Sequence, residues 1–194
     1  MKKYTYDLND SETIIVDGEE QRLYRIVANR EIKNPYYTVQ AGEKGGYIAE
    51  GALSQEGECW VTDTSLVGKD CFVGGDAYVD CSTLFKNVSI LNSAAVSDST
   101  IDSPKNSSLT GGSIVVASKV KGDINLSGEA RLDTCTLSGN LSMTDKAALW
   151  DCSVFGVDEG LSLASDHKYS KKEIYGTGPI NSGKVLVIDK NLSK

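Results

Sequence analysis

Between residues 59 and 88, small and apolar side chains recur with a period of six. The chain there reads CWVTDT, SLVGKD, CFVGGD, AYVDCS and TLFKNV in consecutive blocks. Each block begins with a small residue, and the residue at the third position of the block is predicted to face a core. An α-helix would repeat its apolar face every three to four residues and a hairpin strand every two, so neither explains this period. The predicted inward residues at the third position are Val61, Val67, Val73, Val79 and Phe85.

Each block suits one side of a coil. Two inward side chains separated by one outward residue make a short strand. The three residues that remain turn a corner, and they are rich in Gly, Asp and Asn, which accept the dihedral angles of turns. Three such sides close a coil of about eighteen residues, which stacks on the next coil. The pattern therefore predicts an all-β fold, a single-stranded parallel β-helix solenoid, and we expect its coils to be left-handed.

The pattern also divides the chain. After residue 90 the steps return less regularly, for example at residues 94–96 and 147–149. An open solenoid end exposes core and unpaired strand edges, so it needs a cap. We predict an N-terminal β-rich cap over residues 1–51 and a β-helix over residues 52–157. The cap should contain a hairpin around Asp17-Gly18 whose connection is longer than two residues. Residues 158–194 are predicted to be a polar tail with a terminal strand at 184–189, available for pairing with a neighbouring subunit.

Three segments carry a family resemblance: YRIVA at 24–28, GGYI at 45–48 and ALSQEGECWV at 52–61. Together they resemble the opening of phage and prophage hexapeptide-repeat left-handed β-helix proteins, which have no known function or are loosely labelled transferases. The resemblance covers roughly residues 20–160. It implies the fold, a phage-type origin and a homo-oligomer, a trimer with ligand clefts between subunits. It implies no chemistry, because function resides in sites and not in folds.

Charge and hydropathy narrow the classes of partner. The net charge is −7, and residues 51–157 carry seven basic and thirteen acidic side chains. Direct nucleic-acid binding needs clustered Lys and Arg, so it is disfavoured. No apolar run approaches the length of a membrane span, and the N-terminus lacks the apolar segment of a signal peptide. We therefore expect a soluble protein of the cytoplasm, the host's cytoplasm if it is phage-encoded, with no membrane partner.

Cysteine and histidine usage argues against a metal site. The five cysteines form no C-x-x-C pair, and the chain has one histidine. Structural zinc needs clustered thiolates or imidazoles at short spacing. We expect no metal and no cofactor, and reduced thiols that serve as small apolar fillers. The thiols in question are Cys59, Cys71, Cys81, Cys135 and Cys152.

Enzymatic interpretations are weak but not empty. Acyl transfer on this fold uses a histidine as general base, and here only His167 in the predicted tail is available. His167 is therefore catalytic only under an alternative, a hexapeptide-type acyl or sugar transferase in which the tail reaches a neighbouring subunit. A G-x-x-x-x-G-K match at 178–184 lacks the Ser or Thr that holds Mg²⁺ and precedes a β-branched run, so we take it as accidental.

Binding is the function that the remaining residues favour. Guanidinium groups beside aromatic faces can hold a phosphorylated base or an acidic surface, and a glycine pair allows close backbone approach. The competing interpretation is that the aromatic residues plug the end of the helix and the basic residues pair with nearby acids. The predicted ligand-binding residues are Arg25, Arg30, Lys44, Gly45, Gly46, Tyr47 and Trp60.

The leading hypothesis is a non-enzymatic phage-type β-helix protein that acts by oligomerisation and binding. Counter-defence is the setting that the resemblance suggests, either by sequestering a host nucleotide signal or by masking a host protein. The alternatives are the transferase described above and a structural component of the virion.

Overall fold

Parallel stacked strands make up the molecule. The computed structural model describes residues 1–102 and 108–110 in full, and from residue 107 onward the backbone of further strands. The described residues form strands and no helix, and hence no helix long and apolar enough to cross a membrane. Most strands are two to five residues long and stack in parallel into three walls, so the chain is an all-β parallel β-solenoid, as the six-residue period predicts. The left-handed sense of the coils stays a prediction.

A long hairpin precedes the coils. Strand β1 (Tyr4–Val16) pairs antiparallel with β2 (Glu19–Ala28). The connection is Asp17-Gly18, with φ angles of 52° and 82°. Two positive φ values in a two-residue loop are the mark of a type I′ turn, whose twist matches that of the strands. The predicted hairpin is therefore confirmed, but the expected longer connection is wrong, because β2 begins at Glu19 and leaves only Asp17 and Gly18 in the turn.

Strand β5 (Lys44–Ile48) joins the hairpin to the solenoid. It pairs antiparallel with β2 on one side and parallel with β7 (Leu66–Val67) on the other. Between β2 and β5 lie β3 (Ile32–Lys33) and β4 (Thr38–Val39), which pair only with each other among the described strands. The hairpin thus extends one wall of the solenoid.

Each wall takes one strand from each coil, and the chain visits the first, second and third wall in turn. The first wall continues from β5 and β7 through β10 (Thr83–Phe85), β13 (Thr100–Asp102), β16 (Lys119–Lys121), β19 (Thr136–Ser138), β22 (Ser153–Gly156) and β25 (Lys172–Gly176). The second wall contains β8 (Phe72–Val73), β11 (Val88–Ile90), β14 (Ser107–Leu109), β17 (Ile124–Leu126), β20 (Leu141–Met143) and β23 (Leu161–Leu163). The third wall contains β6 (Trp60–Val61), β9 (Tyr78–Asp80), β12 (Ala95–Ser97), β15 (Ile114–Val116), β18 (Arg131–Asp133), β21 (Ala148–Trp150) and β24 (Lys168–Ser170).

Aliphatic side chains of the described coil strands fill the interior. Four of the five predicted inward residues are completely buried, which confirms the pattern. Those four are Val61, Val67, Val73 and Val79. The fifth prediction is wrong: Phe85 is half-buried, and Leu84, with no exposed surface, takes the inward position.

The register explains this error. Trp60 pairs with Tyr78, 18 residues later, whereas Leu66 pairs with Thr83, 17 residues later. One residue is therefore missing from the corner that joins the third wall to the first. Cys81 sits at this corner with a φ of 46°, in the left-handed region that residues other than glycine adopt at a cost.

The parallel walls extend beyond residue 157, the predicted end of the β-helix. Val154 pairs in parallel with Ile174, so strand pairing continues into the predicted tail. The sequence pattern fades there because polar residues dominate, but a ladder of backbone hydrogen bonds needs no apolar side chain. The predicted terminal strand exists as β26 (Val185–Asp189), and it pairs antiparallel with β25 of the same chain. Pairing with a neighbouring subunit stays a prediction.

The described cysteines are free thiols. Cys59 and Cys71 are buried and act as the small fillers that the sequence predicts. Cys81 is exposed at its corner, so the filler prediction is wrong for this residue. Cys135 and Cys152 lie outside the described residues.

The tip of the hairpin lies along the corner between the first and second walls. The Gln21 Oε1 atom accepts a hydrogen bond from the Lys69 backbone N–H at 2.9 Å. Lys69 pairs with Glu19, and one coil further on Lys86 pairs with Asp17 at 2.9 Å. The hairpin therefore bridges two successive coils.

Candidate ligand-binding site

Arg25 lies at the centre of those predicted site residues that are close together in the structure. Its guanidinium carbon lies 4.0 Å from the centroid of the Tyr47 ring. The Nη1 atom donates to the backbone oxygens of Gly45 and Asp63, each at 2.9 Å, and Nη2 donates to the Tyr47 hydroxyl at 2.9 Å. These contacts fasten the hairpin to β5 and to the first corner of the solenoid.

Asp10 is the carboxylate partner of the two cations in this cluster. Its carboxylate accepts a hydrogen bond from the Tyr47 hydroxyl at 2.7 Å and forms ion pairs with Arg25 at 3.4 Å and Lys44 at 3.2 Å. The hydrogen bond from Tyr47, followed by that from Lys44, lowers the pKa of Asp10. The same bond to Asp10 raises the pKa of Tyr47. At neutral pH the site therefore contains an ionised carboxylate, a neutral phenol and two cations that already have a partner.

Arg30 and Trp60 lie apart from this cluster. Arg30 forms a two-pronged pair with Glu58, at 3.0 and 2.8 Å. Trp60 has no exposed surface and belongs to the core at the end of the solenoid. Apart from the two glycines, the predicted residues thus divide into a group around Asp10, an ion pair at Glu58 and a core residue.

Gly45 and Gly46 serve internal packing. A Cβ atom on Gly45 would meet the Val61 backbone oxygen at 2.6 Å and the Trp60 ring at 2.7 Å. A Cβ atom on Gly46 would meet the backbone oxygen of Ser65 at 2.6 Å. The close backbone approach predicted from the sequence therefore exists, and its partner is the first coil.

Beside the Asp10 cluster lies a cleft of about 380 Å³. It opens between the β3–β4 segment, the start of β5 and the third wall. Its lining consists of tyrosines, acids, one threonine and one lysine, namely Tyr37, Glu43, Lys44, Thr62, Asp63, Tyr78 and Asp80. Of these, only Lys44 was among the predicted site residues.

Aromatic rings form one side of this cleft. The rings of Tyr36 and Tyr78 stack at 5.9 Å, and Tyr37 lies 6.5 Å from Tyr78. The Tyr36 hydroxyl donates to the Ser93 backbone oxygen at 2.6 Å, which fixes the segment on the solenoid. Tyr36 and Tyr37 are nevertheless 42% and 46% exposed, so the aromatic surface faces solvent.

The phenols of the cleft are neutral. Burial, followed by the charge of Asp80, raises the pKa of Tyr78 to about 12. A hydrogen bond to Glu43 raises the pKa of Tyr37. A neutral tyrosine ring presents the negative face of its quadrupole, which attracts cations.

Carboxylates form the other side. Asp80 accepts a hydrogen bond from the Thr62 hydroxyl at 2.7 Å, and Glu43 accepts one from the Gln40 backbone N–H at 2.9 Å. With Asp63, three acids line the cleft against one cation, Lys44, which is paired with Asp10. The charge of this lining is therefore negative.

The acids of the cleft are not arranged for a metal ion. Nowhere in the described part of the chain do three or more His, Cys, Asp or Glu side chains meet in a group that could hold one. A metal requires several ligands at short distance around one point. An organic cation, which can use separate carboxylates and an aromatic face, suits the lining better.

Two sequence candidates cannot be placed in this geometry. His167 and the G-x-x-x-x-G-K match at 178–184 lie outside the described residues.

Comparison with models of known protein families gives no match, and comparison with curated proteins gives none either. The geometry of the described residues therefore carries the functional argument.

Proposed function

We propose that this chain is a non-enzymatic β-solenoid binding protein whose tyrosine- and acid-lined cleft takes a cationic group of a partner protein, a Lys or Arg side chain. The observation that carries the proposal is the pairing of exposed tyrosine faces with three carboxylates in one cleft of about 380 Å³. Clefts of a few hundred cubic ångströms with a few polar groups are typical ligand sites.

Charge favours a cationic ligand over the nucleotide signal considered from the sequence. A nucleotide needs cations that are free to meet its phosphates. Arg25 and Lys44 are held by Asp10, and Arg30 is held by Glu58. Two forms of counter-defence were considered from the sequence, sequestering a host nucleotide signal and masking a host protein. These ion pairs favour the second.

The wider setting of this proposal rests on the sequence. The resemblance to phage β-helix proteins suggests a protein of the host cytoplasm that works as a homo-oligomer, a trimer, in counter-defence. The transferase and virion alternatives draw no specific support from the described residues and stay predictions.

Titration with minimal ligands, followed by NMR, tests the proposal. Nα-acetyl-lysine methylamide and its arginine counterpart should shift the resonances of Tyr37, Tyr78 and Asp80. The Nε-acetylated lysine derivative, which has the same stem without the charge, should not. A cation over a tyrosine ring contributes about 0.5–1 kcal/mol at exposed sites, so replacing Tyr37 by Leu should weaken the lysine derivative about two- to fivefold.

Phe72 supplies the matched control. It is an aromatic residue with 41% exposure on the second wall, away from the cleft lining, so Phe72→Leu should leave the affinity unchanged. Equal binding of the charged and acetylated lysine derivatives would contradict the proposal. So would binding of a cyclic or linear nucleotide by a protein that ignores both cationic derivatives.

A further inference from the structure

A lysine at the start of the chain is buried in the end of the solenoid. Lys3 is 1% exposed, although Met1, two residues earlier, is 99% exposed. Its Nζ atom lies 3.0 Å from the Cys59 backbone oxygen, 3.3 Å from the Glu56 backbone oxygen and 3.0 Å from the Cys59 Sγ atom. These three contacts use the three N–H groups of the ammonium.

The thiol is the only side chain that Lys3 Nζ bonds within the described residues. None of the described ion pairs includes Lys3. A buried ammonium without a carboxylate partner is costly, and buried lysines most often have one. Cys59 is itself completely buried and is otherwise in contact with backbone oxygens. The structure therefore isolates one amine and one thiol at contact distance.

We propose that Lys3 and Cys59 are an oxidative cross-linking site, in which hydrogen peroxide converts the pair to a sulfenamide between Nζ and Sγ. In the first step the thiol reacts with one peroxide, so that the O–O bond breaks and a sulfenic acid and one water form. In the second step the neutral amine attacks the sulfenic sulfur, the N–S bond forms, the S–O bond breaks and a second water leaves.

The balance of the two steps is RSH + H₂NR′ + H₂O₂ → RS–NHR′ + 2 H₂O. Sulfur loses two electrons and the peroxide gains them. The amine attacks only after the ammonium has lost its proton to solvent. Burial raises the pKa of the Cys59 thiol while Lys3 acts in the opposite direction, so the first step should quicken as the pH rises.

Access to the pair requires local opening. Both groups are buried, but Lys3 lies immediately before β1 and follows two exposed residues. A segment with few buried residues opens at low free energy compared with the core. A cross-link would join residues 56 positions apart and would hold the N-terminal strand on the first coil.

Mass spectrometry of the natively folded protein tests this site. After exposure to hydrogen peroxide and proteolysis, we expect a peptide pair that contains Lys3 and Cys59 and is two hydrogens lighter than the sum of its parts. A thiol reductant should separate it. Cys71 is the internal control, since it is also a free and buried thiol but has no lysine partner among the described residues, and it should form no link.

Lys3→Arg is the matched variant, because it keeps the positive charge and N–H donors but replaces the amine by a poor nucleophile. It should abolish the link and leave Cys59 to be trapped as sulfenic acid by dimedone. The wild-type protein decides the matter if this variant does not fold. Oxidation of Cys59 without a link to Lys3, no oxidation of Cys59 while exposed Cys81 reacts, or a link that retains an oxygen atom would each overturn the proposal.

Discussion

At the scale of single residues, Glu58 ties the segment before β3 to the first coil. Its carboxylate accepts two N–H groups of Arg30, at 3.0 and 2.8 Å, and the backbone N–H of Lys33 at 2.9 Å. Its own backbone oxygen accepts a hydrogen bond from Asn34. The hydrogen bond from Arg30 is the main cause of a lowered pKa of Glu58. Arg30 was predicted from the sequence to bind a ligand, whereas in the structure it pairs with Glu58.

This pair makes stability depend on pH in a definite direction. A carboxylate whose pKa is lower in the folded state stabilises the protein above its unfolded pKa of about 4.3 and loses that effect as the pH falls through the folded value. We expect Glu58→Gln to lower the free energy of unfolding by about 1 kcal/mol at pH 7, given the half-exposed pair. At pH 3 the difference from wild type should shrink markedly.

Urea unfolding at pH 7 and pH 3 measures this difference, with Glu50→Gln as control. Glu50 is exposed and takes part in none of the described ion pairs, so its replacement should change stability by less than about 0.5 kcal/mol. A Glu58→Gln deficit that stays the same at both pH values would mean that the charge of Glu58 is not its source.

Residue-scale prediction from the sequence succeeded where a position repeats and failed where it stands alone. Val61 and Val67 were predictable because six-residue spacing marks them several times over. A tryptophan near arginines and glycines is equally typical of a binding site and of a core that closes the end of a solenoid. The sequence around Trp60 therefore did not distinguish the two. The burial of Lys3 had no signal in the sequence, since lysine is almost always exposed.

At the scale of strands, a column of serines connects successive coils of the first wall. Ser65, Ser82 and Ser99 are buried, at 0%, 1% and 3% exposure. The backbone N–H of Ser82 donates to the Ser65 hydroxyl at 3.2 Å, and that of Ser99 donates to the Ser82 hydroxyl at 3.1 Å. Ser82 in turn donates to the Asp80 backbone oxygen at 2.6 Å. The hydroxyls therefore supply backbone partners at the shortened corner.

Replacing Ser82 by Ala should weaken this corner. The change removes the acceptor for the Ser99 N–H and the donor to Asp80 in a buried position, where such losses cost about 1–3 kcal/mol. Ser89→Ala is the control, because Ser89 lies outward on β11 and is half-buried, and it should cost less than about 0.5 kcal/mol. The midpoint of urea unfolding measures both variants, and equal midpoints would show that the column contributes nothing.

The serine column also explains why the register could not be followed from the sequence. The small positions step by six from Cys59 to Ala77 and then by five to Ser82, so an extrapolated period selects Phe85 in place of Leu84. Both Thr83 and Ser82 suit a small position. The buried hydrogen bonds that Ser82 makes with Ser65 and Ser99 of the adjacent coils identify Ser82 as the small position, and such contacts between coils cannot be read from the sequence.

At the scale of the whole molecule, the fold was predictable and the cleft was not. The solenoid follows from a local pattern that every coil repeats, which nearest-neighbour stacking then satisfies. The cleft combines Tyr37, Glu43, Asp63 and Tyr78 from three separate parts of the chain. They meet only because Trp60 and Tyr78 pair on the third wall, 18 residues apart, and the β3–β4 segment folds back on that wall, where Tyr36 bonds Ser93. No single segment of the sequence carries that arrangement.

The overall charge of the chain leads to a prediction about the rate of binding. A net charge of −7 attracts a cationic partner over a distance that salt sets, with a Debye length of about 8 Å at 0.15 M and about 3 Å at 1 M. Association steered in this way slows with added salt, whereas dissociation responds mainly to the contacts within the site. For a lysine-containing peptide on the immobilised protein, surface plasmon resonance should therefore show an association rate that falls severalfold between 0.05 and 0.5 M NaCl. The Tyr37→Leu variant should keep this salt dependence and dissociate faster, because the tyrosine ring attracts the cation only at short range, within the bound complex. An association rate insensitive to salt would mean that the acidic surface does not guide the partner to the cleft.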